Sequence, residues 1–410
     1  MVADVAIVGA GIIGLASARE LLLRHPGLRV CVIDKEDRLA AHQTGHNSGV
    51  IHSGVYYAPG SLKARLCVSG SRELYAYCAA RGIRVERCGK VIVATDESEL
   101  SRLNDLYQRG VANGVPGIEL IGPERLRELE PHCAGIRAAW SPGTGIVDYS
   151  AVAAAYAQDV RDAGGEIRLG HKVMEVAVSS SGVTVVTSKG DIFANRLISC
   201  GGLFADQLAA MTGGARKPAI IPFRGDYWQL RQEARHLCRN MIYPVPDPAF
   251  PFLGIHATRR IDSGEVWLGP NAVLAFAREG YGRFQVRPRE LSAAVRERGF
   301  QRLAGRYWRT GLGEMWRDYN KRAFLSAVRR YLPEVKMEDL ERGPSGVRAQ
   351  ALNDDGSLVD DFVVEAQGDR VFHVRNAPSP AATSSLAIAG LIVDNAEQRF
   401  DLGSRSQVEA

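Results

Sequence analysis

The stretch Asp4-Val-Ala-Ile-Val-Gly-Ala-Gly-Ile-Ile-Gly14 decides the fold at the start of this chain. Its first residues predict a short buried strand, and the Gly-x-Gly-x-x-Gly turn that follows leads into the helical pattern of residues 15–23. A second apolar run, Arg29 to Asp34, ends on a carboxylate 20 residues after Gly14. This order predicts a βαβ unit that binds a dinucleotide, with phosphate at the helix N-terminus and Asp34 on a ribose. The alternative is a glycine-rich turn in an ordinary α/β unit.

Composition and charge place the chain among ordinary globular proteins. Its 410 residues are 46% hydrophobic and 24% charged, which excludes disorder, collagen and a disulfide scaffold and predicts two or three domains. The formal charge of +5 comes without a dense basic block, so we expect a small anion rather than nucleic acid as the partner. Scattered cysteines, no signal peptide and no long apolar run predict a cytoplasmic protein without a membrane-spanning helix.

Three later segments favour FAD over NAD, although both dinucleotides use the opening fingerprint. The stretch from His42 to Tyr57 is rich in small and hydroxyl residues, which allow the backbone to approach a flavin closely. Residues 196–206 form a second strand-to-glycine-to-helix crossing, and residues 373–388 lead into a C-terminal helix whose N-terminus would stabilise a reduced flavin. The predicted FAD contacts are Gly9, Gly11, Ile12, Ile13, Gly14, Asp34, Lys35, Thr44, Gly45, His46, Asn47, Ser48, Gly49, Val50, Val173, Cys200, Gly201, Pro380, Ala381, Ala382, Thr383 and Ser384.

Taken together, these segments identify a family resemblance over about residues 3–395. The chain resembles the FAD-dependent oxidoreductases of the D-amino-acid-oxidase-like superfamily, and within it the bacterial L-2-hydroxyglutarate dehydrogenases. Its most specific motifs are His42 to Tyr57, Pro222 to Tyr227, Tyr243 to His256, Gly269 to Ala275, Gly346 to Gln350 and Asn376 to Thr383. The resemblance implies FAD, a small dicarboxylate substrate oxidised by hydride transfer, and a quinone or oxygen as electron acceptor. Asp34 stands where such flavoproteins usually carry Glu, which keeps the carboxylate.

The pattern along the chain and the resemblance imply a discontinuous, mixed α/β (α+β) fold. A Rossmann-type FAD-binding domain is predicted from residues 1–85, 145–215 and 341–400. Residues 86–144 and 216–340 are assigned to a substrate domain built on a mainly antiparallel sheet.

Oxidation of a 2-hydroxy acid requires a base for the hydroxyl proton, and a neutral imidazole suits that role at pH 7. His256 is the first candidate and His52 the second, with a structural histidine as the alternative. Two carboxylates need two anion contacts, and the guanidinium forks of Arg348 and Arg224 are the first candidates. The alternative for these arginines is a structural ion pair with Asp226 or Asp361. Further candidate substrate contacts, which could instead be packing or surface residues, are Tyr56, Tyr57, Lys63 and Asn271.

Three histidines lie close together at His42, His46 and His52. No carboxylate or cysteine joins them, so we predict no metal site, and a covalent histidyl-flavin link stays open. We expect the loop to line the flavin.

Residues 296–320 combine aromatic residues with arginines. Phe300, Leu303 and Tyr307 fall at helical spacing, and Trp308 and Trp316 extend an apolar side. This pattern predicts an interfacial helix on a membrane surface, and the alternative is a helix packed on the substrate domain.

The alternative functions for the whole protein are an amine or amino-acid oxidase and, more remotely, a flavin-containing RNA-modification protein.

Overall fold

The computed structural model of the chain describes residues 2–247, 254–400 and 402; residues 248–253, inside the motif Tyr243 to His256, lie outside the described residues. Two compact units divide the chain. Unit 1 comprises Met1–Gly45, Tyr149–Ile221 and Ala349–Ala410, and unit 2 comprises His46–Asp148 and Pro222–Arg348.

The predicted domain boundaries differ from these units at residues 46–85, 145–148 and 341–348, which were assigned to the FAD-binding domain and belong to unit 2, and at residues 216–221, which were assigned to the substrate domain and belong to unit 1. Residues 46–85 and 145–148 stay together because the strands at 50–51 and 85–86 both pair with the strand at 145–147. Val50 and Val55 also pack in a core of unit 2 with Ile92 and Leu103.

The strands are short and mostly apolar, as expected for buried sheets. They are β1 (Ala3–Val8), β2 (Val30–Ile33), β3 (Val50–Ile51), β4 (Val85–Glu86), β5 (Lys90–Ala94), β6 (Glu119–Ile121), β7 (Arg137–Ser141), β8 (Gly145–Val147), β9 (Glu166–Arg168), β10 (Val173–Val178), β11 (Val183–Thr187), β12 (Gly190–Ser199), β13 (Ala219–Leu230), β14 (Met241–Pro244), β15 (His256–Arg259), β16 (Val266–Gly269), β17 (Val273–Leu274), β18 (Leu340–Leu352), β19 (Val363–Gln367) and β20 (Val371–Asn376).

The helices bury one face each against these sheets or against one another. They are α1 (Ile12–Arg24), α2 (Leu62–Arg81), α3 (Leu100–Ala112), α4 (Pro123–Leu129), α5 (Tyr149–Asp162), α6 (Ala205–Met211), α7 (Pro288–Arg296), α8 (Arg298–Tyr319), α9 (Lys321–Val328) and α10 (Ser385–Phe400).

Unit 1 is built on a sheet whose centre is parallel. Strand β1 lies between β12 and β2, and β20 and β9 extend the parallel set on either side. The hairpin of β10 and β11 continues antiparallel from β12. Helix α1 packs on α5 and α10, and ion pairs of Arg19 with Asp159 and of Arg24 with Asp394 join these helices. This is the predicted Rossmann-type arrangement.

Unit 2 is built on a mainly antiparallel sheet, as predicted. Within the described residues its strand order is β17-β13-β16-β15-β14-β5-β7-β6, with β18 on β13. Neighbours along this order are antiparallel except β14 and β5, which are parallel. One face packs on α9 through Val91, Ile242 and Ala257, and the other packs on α3 through Ile92 and Tyr243.

Candidate functional site

The turn between β1 and α1 is a close-packed backbone cradle in unit 1. Gly9 has φ +113°, and a Cβ there would lie 2.4 Å from the Cys200 carbonyl oxygen. A Cβ on Gly14 would lie 1.9 Å from the Gly9 carbonyl oxygen, so neither position accepts a side chain. Gly11 is the N-cap of α1 and offers no side-chain cap, at a helix end whose N–H groups and dipole favour an anion.

Asp34 is held at the end of β2 by two backbone donors. The Ala10 N–H donates to Oδ2 at 2.6 Å, and the Glu36 N–H donates to Oδ1 at 2.9 Å. Each carboxylate oxygen has two lone pairs, so both can still accept from a ribose hydroxyl. The neighbouring Lys35, predicted to contact FAD, pairs with Glu36 at 2.6 Å and lies 3.3 Å from His42 Nε2.

The remaining predicted contacts of unit 1 lie on three segments around this turn. Thr44 Oγ1 accepts from the Ile12 N–H at 3.0 Å. The chain just before Val173 runs beside β2, since the His171 N–H donates to the Asp34 carbonyl oxygen at 2.7 Å. The segment Pro380–Ser384 precedes α10, and Thr383 is hydrogen-bonded to the Tyr149 hydroxyl at 2.9 Å.

The predicted FAD contacts of unit 2 follow directly in the chain, from His46 to Val50. The His46 ring stacks on Tyr281 with centroids 4.1 Å apart, and its Nδ1 lies 3.2 Å from the Ser345 carbonyl oxygen. Asn47 Oδ1 accepts from the Gly49 N–H at 2.8 Å. The motif from His42 to Tyr57 is therefore divided between the two units, with residues 42–45 in unit 1.

His256 is the best-defined candidate base in unit 2. It begins β15, is 5% exposed and stacks on the Tyr243 ring with centroids 4.0 Å apart. Its Nδ1 donates to the Gly254 carbonyl oxygen at 2.9 Å, which leaves the Nε2 lone pair to accept a proton. Burial lowers the pKa of His256 to about 3, and the positive charges of Arg348 and Lys90 act in the same direction.

His52 lies in the same electrostatic environment. Burial lowers its pKa to about 3, with Lys90 and then His256 as further causes. Both candidate histidines are therefore uncharged at pH 7. The structure places His52 and His256 near each other, as expected for two candidates for the same base role.

Lys90 is the member of this group that sequence reasoning missed. It begins β5, is 1% exposed, and its Nζ lies 4.5 Å from the Tyr56 ring centroid and 4.8 Å from that of Tyr243. Burial lowers its pKa from 10.5 to about 7. A signal was available in the sequence, because Lys90 precedes the apolar run Val-Ile-Val-Ala, where an interior strand has little room for a charge.

In the strand order of the unit 2 sheet, Arg348 and Lys90 lie on opposite sides of His256. Arg348 lies on β18, which pairs with β13, whereas Lys90 lies on β5 beyond β14. Burial lowers the pKa of Arg348, and the Tyr227 hydroxyl opposes this. A guanidinium stays charged throughout the working pH range, so Arg348 is suited to bind a carboxylate.

Arg224 does not join this group, and the structure favours the ion-pair alternative for it. It is 2% exposed, and its Nε lies 3.0 Å from Asp226 Oδ2. Asp318 lies 3.8 Å from Arg224 and 2.6 Å from Arg283, which completes a buried cluster. Asn271 belongs to the same cluster because its Oδ1 accepts from the Asp226 N–H at 2.7 Å. The predicted substrate roles of Arg224 and Asn271 are therefore corrected to structural ones.

Tyr57 and Lys63 lie close to each other in unit 2. The Lys63 Nζ is 5.9 Å from the Tyr57 ring, and the Tyr57 carbonyl oxygen accepts from Asn113 Nδ2 at 2.9 Å. Tyr56, another residue of this predicted set, packs its ring against Lys90. Burial raises the pKa of Tyr56, so its hydroxyl remains a donor.

Comparison with known proteins defines the class to which this fold and site belong. The family model described as FAD dependent oxidoreductase matches residues 4–395. The L-alpha-glycerophosphate oxidase of Mycoplasma pneumoniae with FAD bound has a TM-score of 0.79 at 20% identity, covering 97% of this chain and 95% of that one. The chain belongs to the FAD-dependent oxidoreductase family, and its cofactor is FAD.

Within this family the chain is similar to proteins named L-2-hydroxyglutarate dehydrogenase. It is 52% identical over 417 residues to the mitochondrial one of Nematostella vectensis, covering 97% of this chain and 91% of that protein. It is 47% identical over 398 residues to the one of Indibacter alkaliphilus, covering 97% of this chain and 99% of that protein. The predicted family resemblance is confirmed.

The residues of unit 1 fit this cofactor. The glycine cradle would accept a phosphate-bearing ligand against backbone, and the fixed Asp34 carboxylate retains acceptor capacity for ribose hydroxyls. Both features suit the half of FAD that carries the phosphates and the ribose.

Proposed function

We propose that this protein oxidises L-2-hydroxyglutarate to 2-oxoglutarate. The observation that carries the proposal is the buried His256, whose Nδ1 donates to the Gly254 carbonyl oxygen and whose pKa is lowered by burial and by the positive charge of Arg348. A base beside a cation suits the oxidation of an alcohol that carries a carboxylate. The names of the relatives supply the particular 2-hydroxy acid.

The residues of unit 2 divide the reaction between them. Arg348 binds the carboxylate next to the hydroxyl group and orients the substrate. His256 Nε2 accepts the hydroxyl proton, while Nδ1 keeps its hydrogen bond to Gly254. FAD, when bound, accepts the two electrons that leave with the hydrogen of the hydroxyl-bearing carbon. The two negative charges of the substrate would offset the positive charges of Arg348 and Lys90, which removes the smaller part of the lowering of the His256 pKa, whose main cause is burial.

Anaerobic mixing tests this function directly. We expect the absorbance of the oxidised flavin to bleach with L-2-hydroxyglutarate and to stay unchanged with D-2-hydroxyglutarate and with neutral amino acids. Bleaching by amino acids alone would make the protein an amino-acid oxidase instead.

The location and the electron acceptor form a finer part of the proposal. Each helix in the described part of the chain is too short or too polar to span a lipid bilayer. The exposed side of α8 instead carries a stripe of large apolar residues at helical spacing, which we call the α8 stripe: Trp308, Leu312, Met315, Trp316 and Tyr319. Exposed arginines at 298, 302, 306 and 309 accompany it.

This combination is suited to an anionic membrane surface, where indoles lie at headgroup depth and arginines meet lipid phosphate. We infer that α8 docks the protein on such a surface. A membrane position favours a quinone over oxygen as the electron acceptor, because quinones dissolve in the bilayer.

A further inference from the structure

Lys90 is a buried amine that has no carboxylate counter-ion among the residues that the structure describes. Among the described residues, no aspartate or glutamate pairs with its Nζ. The Nζ lies over the faces of Tyr56 and Tyr243, and its electrostatic neighbours are Cys67, His52 and His256. Aromatic faces attract a cation but carry no formal charge. An ionised amine buried in this way is costly unless an anion joins it.

A second donor in the same place also has no partner. The Tyr56 hydroxyl is buried and makes no hydrogen bond within the described part of the chain. Buried hydroxyls are almost always hydrogen-bonded, so an orphaned one indicates a ligand. Lys90 and Tyr56 together present an ammonium and a hydroxyl, which are the donors that a carboxylate accepts from.

The sheet places this pair on one side of His256 and Arg348 on the other. Tyr243 on β14 pairs with Ile92 on β5, two residues from Lys90, and the His256 ring stacks on Tyr243. Lys90 and Ile92 project from the same face of β5 because side chains alternate along a strand. Arg348 follows beyond β16 and β13 in the strand order.

We propose that Lys90, with the Tyr56 hydroxyl, binds the carboxylate of the substrate that is remote from the oxidised carbon. Arg348 binds the carboxylate next to that carbon, and His256 lies between the two cations. This assignment rests on the proposed function and makes Lys90 the residue that selects a dicarboxylate over a monocarboxylate. It also gives Lys90 the second anion-binding role that Arg224 does not fill.

The test compares two substrates that differ only in the remote carboxylate. In Lys90→Met, kcat/KM for L-2-hydroxyglutarate should fall about 10- to 150-fold, the loss expected for a hydrogen bond to a charged group. The kcat/KM for L-2-hydroxyvalerate should stay within about twofold. Tyr56→Phe should also lower the preference for L-2-hydroxyglutarate over L-2-hydroxyvalerate, but by less than Lys90→Met does. An equal loss with both substrates would assign Lys90 a packing role and overturn the proposal.

Equilibrium binding gives a readout that does not depend on turnover. Glutarate and valerate, which cannot be oxidised at a hydroxyl group, are titrated into the FAD-loaded protein while the flavin spectrum is followed. The unmodified protein should bind glutarate more tightly than valerate, and Lys90→Met should bring the two dissociation constants together. The matched control is Lys336→Met, which removes an exposed lysine and should leave the ratio unchanged.

The pH dependence separates a charge contact from a steric one. Because burial lowers the pKa of Lys90 to about 7, the ammonium is lost as pH rises above 7, and glutarate affinity should then fall. Lys90→Arg, whose guanidinium stays charged, should bind glutarate without this dependence. The titratable and charged groups that act on or face Lys90 and its partners are Tyr56, Cys67, Tyr243, His52, His256 and Arg348.

The outcomes distinguish a failure of the proposed function from a failure of the role proposed for Lys90. The unmodified protein could prefer glutarate through Lys90 while L-2-hydroxyglutarate fails to reduce its flavin. That result would overturn the proposed function alone. Normal oxidation of L-2-hydroxyglutarate by Lys90→Met would overturn the role of Lys90 alone. Absence of any glutarate preference in the unmodified protein would overturn the role of Lys90 as well.

Discussion

At the scale of single residues, Asp34 connects the sequence fingerprint to cofactor retention. Replacing Asp34 with Ala removes the acceptor for ribose hydroxyls and for the Ala10 and Glu36 N–H groups. We expect FAD affinity to weaken by about 1.5–3 kcal/mol, the range for a hydrogen bond to a charged group. Fluorescence titration of the apoprotein with FAD measures this, with Asp37→Ala, an exposed neighbour, as the control. An unchanged FAD affinity in Asp34→Ala would mean that the fingerprint is misassigned.

The hydrogen bond of His256 fixes which of its ring nitrogens can act as the base. His256 has a fixed Nδ1–H donor to Gly254, and the proposed base role therefore falls to its Nε2. We expect His256→Gln to slow anaerobic flavin reduction about 10²–10⁴-fold, the range for a missing general base, while FAD stays bound. His52→Gln should slow it less. If the larger loss comes from His52→Gln, the roles of the two residues are exchanged.

At the scale of elements, helix α8 exposes a different set of apolar residues from the set that the sequence predicted. The helix itself is confirmed over Arg298–Tyr319, with non-helical angles at Tyr307 (φ −117°, ψ 19°). Leu303, predicted to face the membrane, is 8% exposed and packs inward, whereas Trp308 and Trp316 are 56% and 63% exposed. The exposed stripe therefore begins after Tyr307.

Co-sedimentation with vesicles tests the α8 stripe. Binding to anionic phosphatidylglycerol vesicles should be clear at low salt and fall as salt rises, because arginines near the surface are screened. Trp308→Ser combined with Trp316→Ser should lower the bound fraction at least several-fold. Phe193→Ser, a change at an exposed aromatic residue of β12, is the control and should bind like the unmodified protein. Lack of binding at low salt would contradict membrane docking.

At the scale of the whole molecule, buried imidazoles couple stability to pH. Burial lowers the pKa of His52 and His256 to about 3 and that of His373 to about 4. Between pH 6.5 and 4 the unfolded chain binds protons at these residues and the folded chain does not, so the free energy of unfolding falls as pH falls. Each imidazole contributes up to about 1.4 kcal/mol per pH unit.

Denaturant unfolding from pH 7 to 4 measures this dependence. His373→Gln should lower the slope of unfolding free energy against pH by up to one proton, since Gln keeps polar contact with Thr212 and Gln367 but does not titrate. His236→Gln, at an exposed histidine, should keep the original slope. Identical slopes in all three proteins would show that His373 is not buried uncharged.

The sequence by itself determined the local features of this protein. Gly9, Gly14 and Asp34 could be assigned because strand, turn, helix and acid follow one another within one βαβ unit, where spacing along the chain sets spacing in space. The helix at 298–319 also follows from short-range pattern, whereas the antiparallel character of the unit 2 sheet was predicted with the help of the family resemblance.

Only the tertiary structure decided which distant charges meet. Lys90 joins His256 because β5 pairs in parallel with β14, and no local pattern specifies the order of strands in a sheet. Arg224 and Arg348 look alike in sequence, yet Arg224 meets Asp226 and Asp318 in the core while Arg348 lies toward His256. A charged side chain acquires its role from the counter-ions and the burial around it, and both are set by long-range packing.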